Sequence, residues 1–159
     1  MFKHILIATD GSPVSSKAAT AGIALGKDLG ARVTAYSAVE PLPPLYGDGY
    51  VPDQKTINGF ERGAREVAQK RVDAIGKKAK AAGVPFASVV TNADTPYAGI
   101  IAAAKTRKCD VIFMASHGRR GLSRLFMGSV TQHVLTYSKI PVLVYRSTSQ
   151  SLTRNLQVS

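Results

Sequence analysis

The chain is poor in cysteine and acidic residues and has no long apolar run. Its single cysteine, Cys109, cannot form an internal disulfide, and its place beside an apolar stretch predicts a small buried hydrophobe. No stretch approaches the roughly twenty apolar residues that span a membrane. The N-terminal apolar run, residues 5–8, is too short for a signal sequence. We therefore expect a protein of the cytoplasm.

Standard motifs for nucleotides and metals are also missing. The chain contains neither the Walker A pattern G-x-x-x-x-G-K-[ST] nor the dinucleotide pattern G-x-G-x-x-G. Its three histidines are scattered and accompany only one cysteine, which predicts no structural metal site.

Basic residues outnumber acidic ones by 21 to 10, for a formal net charge of +11. Such a charge attracts phosphates of any kind, nucleic acid included. No recognised nucleic-acid module or aromatic stacking platform accompanies it, so nucleic-acid binding is the least favoured function. Between residues 61 and 80 the basic residues mix with acidic ones, which predicts a solvated helix face. They are Arg62, Arg65, Lys70, Arg71, Lys77, Lys78 and Lys80.

Short apolar runs alternate with helical patterns along the chain. We predict strands at 3–9, 32–39, 86–91, 111–114 and 141–145, and helices at 13–29, 53–82, 95–105 and 128–137. Residues 41–52 are rich in proline and glycine and predict a loop, a candidate lid. The predicted inner stripe of the first helix is Ala18, Ala21, Gly22, Leu25 and Leu29. The predicted core is Ile5, Ile7, Val33, Val89, Val111, Ile112 and Val142.

This alternation predicts one α/β domain, an open five-stranded parallel sheet with helices on both faces, Rossmann-like in the broad sense. The length of 159 residues and the 45% hydrophobic content suit a single globular domain. In such sheets, ligands bind beyond the carboxyl ends of the strands, where the winding direction reverses.

The stretch from Asp110 to Leu135 reads as a strand, a loop and a helix. The loop holds two glycines with arginines beside them, and the helix begins near Gly128-Ser129. Free backbone N–H groups and the positive end of the helix dipole favour phosphate at such a joint. An ordinary turn with solvated arginines is the alternative.

Gly118, the nine residues 119–127 and Gly128-Ser129 resemble the nucleotide-binding signature of the universal stress protein family. The resemblance extends over residues 2–146 and includes Asp10-Gly11-Ser12 and Pro141-Val-Leu-Val144. The first glycine of the signature falls on Ala115. Its methyl group is either tolerated or narrows the space for a phosphate.

The resemblance implies strand order 3-2-1-4-5, with the ligand between the first and fourth strands. It also implies ATP, or AMP or ADP, as ligand, with any divalent metal held only through the phosphates. Asp10 would contact the ribose, the backbone around Val39 the adenine, and Gly118 with 128–130 the phosphates. Arg119, Arg120 and Arg124 would add screened charge. The candidate site residues are Ala8, Thr9, Asp10, Val39, Ala115, Ser116, His117, Gly118, Arg119, Arg120, Gly121, Gly128, Ser129, Val130 and Thr131.

Structural roles compete with these assignments. Asp10 alternatively forms an Asx turn into the first helix, and His117 a hydrogen-bonding prop. Because Asp10 is the only carboxylate placed at the crevice, we expect at most a slow ATPase. The function classes left open are a nucleotide-dependent sensor or signalling module in the stress response, a ligand-free interaction protein of the same fold, and a nucleic-acid binder. We also expect a homodimer through residues 141–145, a domain over 1–146 and a frayed tail at 147–159.

Overall fold

Strands and helices alternate along the whole chain. The computed structural model describes residues 1–42, 51–118 and 127–147. In order, the elements are β1 (His4–Ala8), α1 (Pro13–Leu29), β2 (Arg32–Val39), α2 (Gln54–Ala82), β3 (Phe86–Asn92), α3 (Pro96–Thr106), β4 (Val111–Ala115), α4 (Ser129–Tyr137) and β5 (Val142–Tyr145). Most of the predicted lid, the arginines of the glycine loop with Gly121, and nearly all of the tail lie outside the described residues.

The strands form one five-stranded sheet in the order β3-β2-β1-β4-β5. All neighbouring strands are parallel, with β1 paired to β2 on one side and to β4 on the other. Winding therefore reverses between β1 and β4. The fold and strand order predicted from the sequence are both confirmed.

Apolar side chains of each inner strand alternate between the two faces of the sheet. Ile5, Ile7 and Phe113 pack with α1 and α2 in one buried cluster. Leu6 and Ile112 pack with α3 and α4 in a second cluster on the opposite face. The inner strands are therefore buried on both sides, which is why they read as continuous apolar runs.

Two members of the predicted core are less buried than expected. Ile5, Val33 and Ile112 are at most 1% exposed, whereas Val89 and Val142 are only half-buried and pack against the second cluster. Val89 and Val142 lie on β3 and β5, the two edges of the sheet. An edge strand lacks one neighbour, so part of its side-chain surface stays open to water.

The buried face of α1 also differs from the predicted stripe. Its buried residues are Ser15, Ala18, Ala19, Gly22, Ile23 and Gly26, while Ala21, Leu25 and Leu29 are half-buried. A side-chain carbon on Gly22 would lie 2.8 Å from Ile7 Cδ1, and one on Gly26 would lie 3.1 Å from Val33 Cγ2. The small residues let the helix approach the sheet, and the leucines cover the flank of the core.

The basic residues of α2 are exposed, as predicted, except Arg71, which is half-buried. Arg65 donates a hydrogen bond to the Asn92 side chain at 2.8 Å, and Lys78 donates to the hydroxyls of Ser16 and Thr20 at 3.1 and 3.0 Å. Arg71 crosses to another element as well, as described below. These cations tie α2 to α1 and to the sheet, although Arg65 and Lys78 are exposed to solvent, as is Arg62.

Helix α3 packs closely against its neighbours at Gly99, and a substitution there tests this contact. A methyl group there would overlap the Tyr36 hydroxyl and lie 2.8 Å from Ala93 Cβ. We expect Gly99→Ala to lower the free energy of unfolding by about 1–3 kcal/mol, the cost of overpacking. Gly59 on α2 has no atom within 4 Å of the added carbon, so Gly59→Ala should stabilise by about 0.5–1 kcal/mol. Urea denaturation measures both, and equal stabilisation of the two variants would contradict the packing described.

Candidate functional site

The carboxyl ends of β1 and β4 meet at one crevice. Ile7 pairs with Phe113, so the segments that follow both strands emerge side by side. The Asp10 carboxylate lies directly against the Gly118 backbone, at the position that a Gly118 side chain would occupy. Two loops that are distant in sequence are therefore brought together, as predicted.

Asp10 has a structural role in this crevice as well. Its Oδ1 accepts a hydrogen bond from the Ser12 N–H at 2.9 Å, which is the Asx turn considered above. Ser12 then caps α1 by accepting from the Ser15 N–H at 3.1 Å. Oδ2 is the oxygen that faces Gly118. One oxygen thus shapes the turn, and the other lies at the crevice.

Thr9 serves the same turn. Its hydroxyl accepts from the Gly11 N–H at 3.1 Å and lies 3.1 Å from the Ser15 hydroxyl. Its backbone N–H donates to the Tyr36 carbonyl at 2.9 Å, which extends the pairing of β1 with β2. The described contacts give Thr9 a structural role.

Gly128 brings the start of α4 against the end of β4. Its N–H donates to the Ser116 carbonyl at 2.8 Å. A side-chain carbon on Gly128 would lie 3.2 Å from His117 Cα and 3.5 Å from the Ser116 carbonyl oxygen. The Thr131 hydroxyl adds a bond to the Ala115 carbonyl at 2.9 Å. Glycine at 128 is therefore explained by the close approach of two backbones.

The N-terminus of α4 points its amides at this joint. Gly128 is the N-cap residue and supplies no side-chain cap, and the first turn holds no acidic residue. Within the described residues, nothing accepts from the N–H groups of Ser129, Val130 or Thr131. Ser129 is exposed, whereas Thr131 is buried. Unsatisfied amides and the positive end of the helix dipole favour an anion at this end.

Ala115 does not face the helix start with its methyl group. The residue is 6% exposed and belongs to the buried cluster on the α1–α2 side of the sheet, with Ile7 and Phe113. Helix α4 packs on the other side, where Val134 joins Ile112. The departure from the signature at this position therefore adds a core methyl rather than bulk beside Gly128.

The remaining predicted residues also border the strand ends. Ala8 and Val39 are buried at the ends of β1 and β2, at 6% exposure each. His117 is half-buried, and its Nδ1 lies 3.0 Å from the Ser116 hydroxyl, as expected of a hydrogen-bonding prop. The Ser116 N–H donates to the Tyr145 carbonyl at 2.9 Å, so β5 also holds the crevice loop in place.

An ion pair between Arg71 and Glu40 lies beside the crevice and was not predicted. Arg71 on α2 donates to Glu40, just after β2, at 3.1 Å, and its side chain is only 13% exposed. The same side chain covers Gly11, which has a φ of +79°, and a carbon added to Gly11 would lie 2.8 Å from Arg71 Nε. A cavity of about 310 Å³ opens beside it and is lined by Thr9, Gly11 and Lys78 among others. Sequence alone did not reveal this pair, because Arg71 sits in a run of mixed charges.

Two buried titratable groups lie at the opposite, amino-terminal end of the strands. Burial, and then the charge of Arg32, lowers the pKa of His4. Burial, and then the charge of Asp110, raises the pKa of Cys109 to about 11. Cys109 is 6% exposed, which confirms the prediction of a buried hydrophobe.

Among residues 1–42, 51–118 and 127–147, no three His, Cys, Asp or Glu side chains converge on a position suited to a metal ion. None of the helices in these ranges is long and apolar enough to cross a membrane.

Comparison with known proteins identifies relatives along nearly the whole chain. Residues 1–146 match the model of the universal stress protein family. Universal stress protein MJ0531 of Methanocaldococcus jannaschii is 31% identical over 146 residues, covering 92% of this chain and 83% of its own. Universal stress protein YxiE of Bacillus subtilis is 31% identical over 150 residues, covering 92% and 100%.

Solved structures share the fold. The structure of MJ0577, also from M. jannaschii, superposes with a TM-score of 0.73 at 25% identity, covering 94% of this chain and 99% of that one. Universal stress protein UspA of Lactobacillus plantarum gives 0.73 at 19% identity, covering 91% and 98%. Family model, curated relatives and fold agree, and the chain belongs to the universal stress protein family.

Proposed function

We propose that the chain binds an adenine nucleotide, with ATP as the first candidate, at the crevice between β1 and β4. The observation that carries the proposal is the meeting of the Asp10 carboxylate, the Gly118 backbone and the uncapped start of α4. The phosphates would sit at the α4 amides and the ribose at Asp10. Binding would then make the protein a sensor or signalling module that responds to nucleotide.

Nucleotide complexes among the structural neighbours support the proposal. One neighbour, described as a universal stress protein in complex with cAMP, has a TM-score of 0.63 at 20% identity. Another, the universal stress protein of Archaeoglobus fulgidus in complex with dAMP, has a TM-score of 0.59 at 16% identity. Both ligands are adenine nucleotides, and the fold they share with this chain supplies the same strand ends.

Backbone groups, more than arginines, would hold the phosphates in this proposal. The amides of Ser129 and Val130 are fixed at the start of a helix, whereas exposed cations are screened over about 8–10 Å. We propose at most slow hydrolysis of ATP at this site. Asp10 is the carboxylate at the crevice, and its Oδ1 already accepts from the Ser12 N–H in the Asx turn.

Denaturing the purified protein and identifying released small molecules by mass spectrometry separates the main alternatives. Release of ATP, ADP or AMP in near-stoichiometric amount supports the nucleotide-binding proposal. Release of no nucleotide, together with no binding of added ATP, favours a ligand-free interaction protein of the same fold.

Gly128→Val should abolish ATP binding at millimolar ligand. Even a methyl group at this position lies within 3.2 Å of His117 Cα, so a branched side chain must push the α4 amides away from the crevice. Isothermal titration calorimetry measures the effect. Gly63→Val on α2 is the matched control, because no atom lies within 4 Å of a carbon added there. The ATP affinity of this variant should equal that of the wild type.

Ala115→Gly provides a second control for the same titration. Because the Ala115 methyl packs in the core, its removal should leave ATP affinity within about twofold and lower the free energy of unfolding by about 1 kcal/mol. A marked gain in affinity would show that this methyl does reach the ligand.

Asp10→Asn separates the structural and binding roles of this residue. Asparagine keeps an oxygen for the Ser12 N–H, so the Asx turn and thermal stability should persist. The amide replaces the carboxylate at the crevice, and ATP affinity should fall about tenfold, as for loss of one charged hydrogen bond. Unchanged affinity would leave Asp10 with the turn alone.

We also propose that the protein forms a homodimer through β5. This strand lies at the edge of the sheet and reads Val-Leu-Val-Tyr, without a charged residue. Leu143 is 36% exposed on it. An uncharged apolar edge favours pairing with another strand, and an antiparallel contact between two copies satisfies both.

Leu143→Lys should convert such a dimer to a monomer. The substitution would place two lysines, one from each copy, in the symmetric contact. Val67→Lys on α2 is the control, because Val67 is an apolar residue of similar exposure, 48%, outside the contact. Light scattering at tens of micromolar protein should give a dimer for the wild type and Val67→Lys and a monomer for Leu143→Lys. A monomeric wild type at that concentration rules out the contact.

A further inference from the structure

A second cavity lies at the amino-terminal ends of the strands, away from the crevice. Its volume is about 350 Å³, near the lower end of the range for small-molecule pockets. We call it the basal pocket and define it by six of its lining residues. They are His4, Arg32, Thr34, Phe86, Arg107 and Lys108.

Three cations converge on the basal pocket from two directions. Arg32 begins β2, whereas Arg107 and Lys108 follow α3. No acceptor in the described part of the chain forms an ion pair or side-chain hydrogen bond with any of them. The nearby Asp110 carboxylate instead accepts from the N–H groups of Lys3 and His4, at 2.7 and 3.1 Å. The cations are therefore uncompensated by a contacting carboxylate.

His4 contributes a buried polar atom to the same pocket. The residue is 6% exposed, and its Nε2 lies 2.7 Å from the Thr34 hydroxyl. Its Nδ1 is buried without a hydrogen-bond partner in the described structure. The backbone carbonyls of Arg107 and Lys108 lie beside the ring, and each favours its charged form. The His4 ring is therefore in contact with the segment that carries two of the three cations.

Lys108 occupies a left-handed backbone position after α3, where α1 and α2 are followed by glycine. Its φ is +54°, and its N–H donates to the Lys105 carbonyl at 3.1 Å while the next N–H donates to Ala104 at 2.8 Å. Gly30 and Gly83 hold the equivalent left-handed position after α1 and α2. A left-handed lysine is strained relative to glycine. A basic residue near the C-terminus of a helix stabilises the helix dipole, but Lys105 in the last turn of α3 already has this role. The dipole therefore does not explain the lysine at 108.

We propose that the basal pocket binds a small molecule through a phosphate group. Arg32, Arg107 and Lys108 would surround the oxyanion, the buried His4 ring would lie beneath it beside Thr34, and Phe86 would offer an apolar wall to any group esterified to the phosphate. The site is separate from the nucleotide crevice and does not depend on the function proposed there.

NMR signals of the histidine rings can test the proposal, because each of the three histidines lies in a different part of the molecule. His4 lines the basal pocket, His117 borders the crevice and His133 lies exposed on α4. The protein is titrated with inorganic phosphate and, separately, with phenyl phosphate. His4 signals should shift saturably with both probes. Tighter binding of phenyl phosphate would favour a phosphate ester as the class of ligand, and equal binding would favour free phosphate.

Variants that remove one positive charge test whether the phosphate that shifts the His4 signals binds in the basal pocket. Arg32→Gln and Arg107→Gln should each weaken the phosphate affinity measured from the His4 shift about fivefold, as expected for the loss of one exposed charged contact. Arg62→Gln removes the same charge from an exposed position on α2 and should leave the affinity unchanged. Equal weakening by Arg62→Gln would reduce the binding to net charge and overturn the proposal.

Lys108→Gly separates binding from helix capping. Glycine relieves the left-handed strain, so the thermal midpoint should rise by about 1–3 °C, while phosphate affinity at His4 should fall about fivefold. A Lys108→Gly protein that binds phosphate like the wild type would contradict the proposal. So would His4 signals that stay fixed up to tens of millimolar phosphate while those of His117 move.

Discussion

Parallel pairing of β1 between β2 and β4 is the constraint on which the rest of the structure depends. A strand buried on both faces and bonded on both sides has one register available, because a slip by one residue would exchange its two apolar faces. That register sets Ala8 opposite Tyr36 of β2, with the Thr9 N–H bonded to the Tyr36 carbonyl, and it brings Asp10 opposite the loop after β4. The crevice follows from the sheet before any ligand is considered.

Elements defined by local signals were predicted well from the sequence. Ser12 and Pro13 mark the start of α1, and Gly30 marks its end, because capping and left-handed backbone depend on single residue types. The meeting of Asp10 with Gly118 was also predictable, since the reversal of winding places both at one end of the sheet.

Features that depend on distances between elements were not predictable in the same way. The periodic stripe of α1 favoured its leucines, but the close approach of Gly22 and Gly26 to the sheet turned the smaller residues inward. The inward methyl of Ala115 depends on which face of β4 it occupies, and a signature alignment carries no such information. The contact of Arg71 with Glu40 spans two elements and leaves no local pattern.

The two ends of the sheet differ in how their charges are arranged. At the carboxyl end, charge is paired or used by the backbone: Arg71 with Glu40, and Asp10 with the Ser12 amide. At the amino end, Asp110 is bonded to backbone amides, while Arg32 and Arg107 face a cavity. Among the described residues, the cations at the amino end therefore face a cavity, whereas Arg71 at the carboxyl end is paired.

The packing of Arg71 over Gly11 has a consequence for the history of the family. Any side chain at position 11 would both occupy the space of the guanidinium stem and adopt a φ of +79°, so the two positions are not free to vary one at a time. A side chain at position 11 would therefore require Arg71 to move or to be shortened, and either change disturbs its bond to Glu40. Covariation between these positions among homologues would record that coupling.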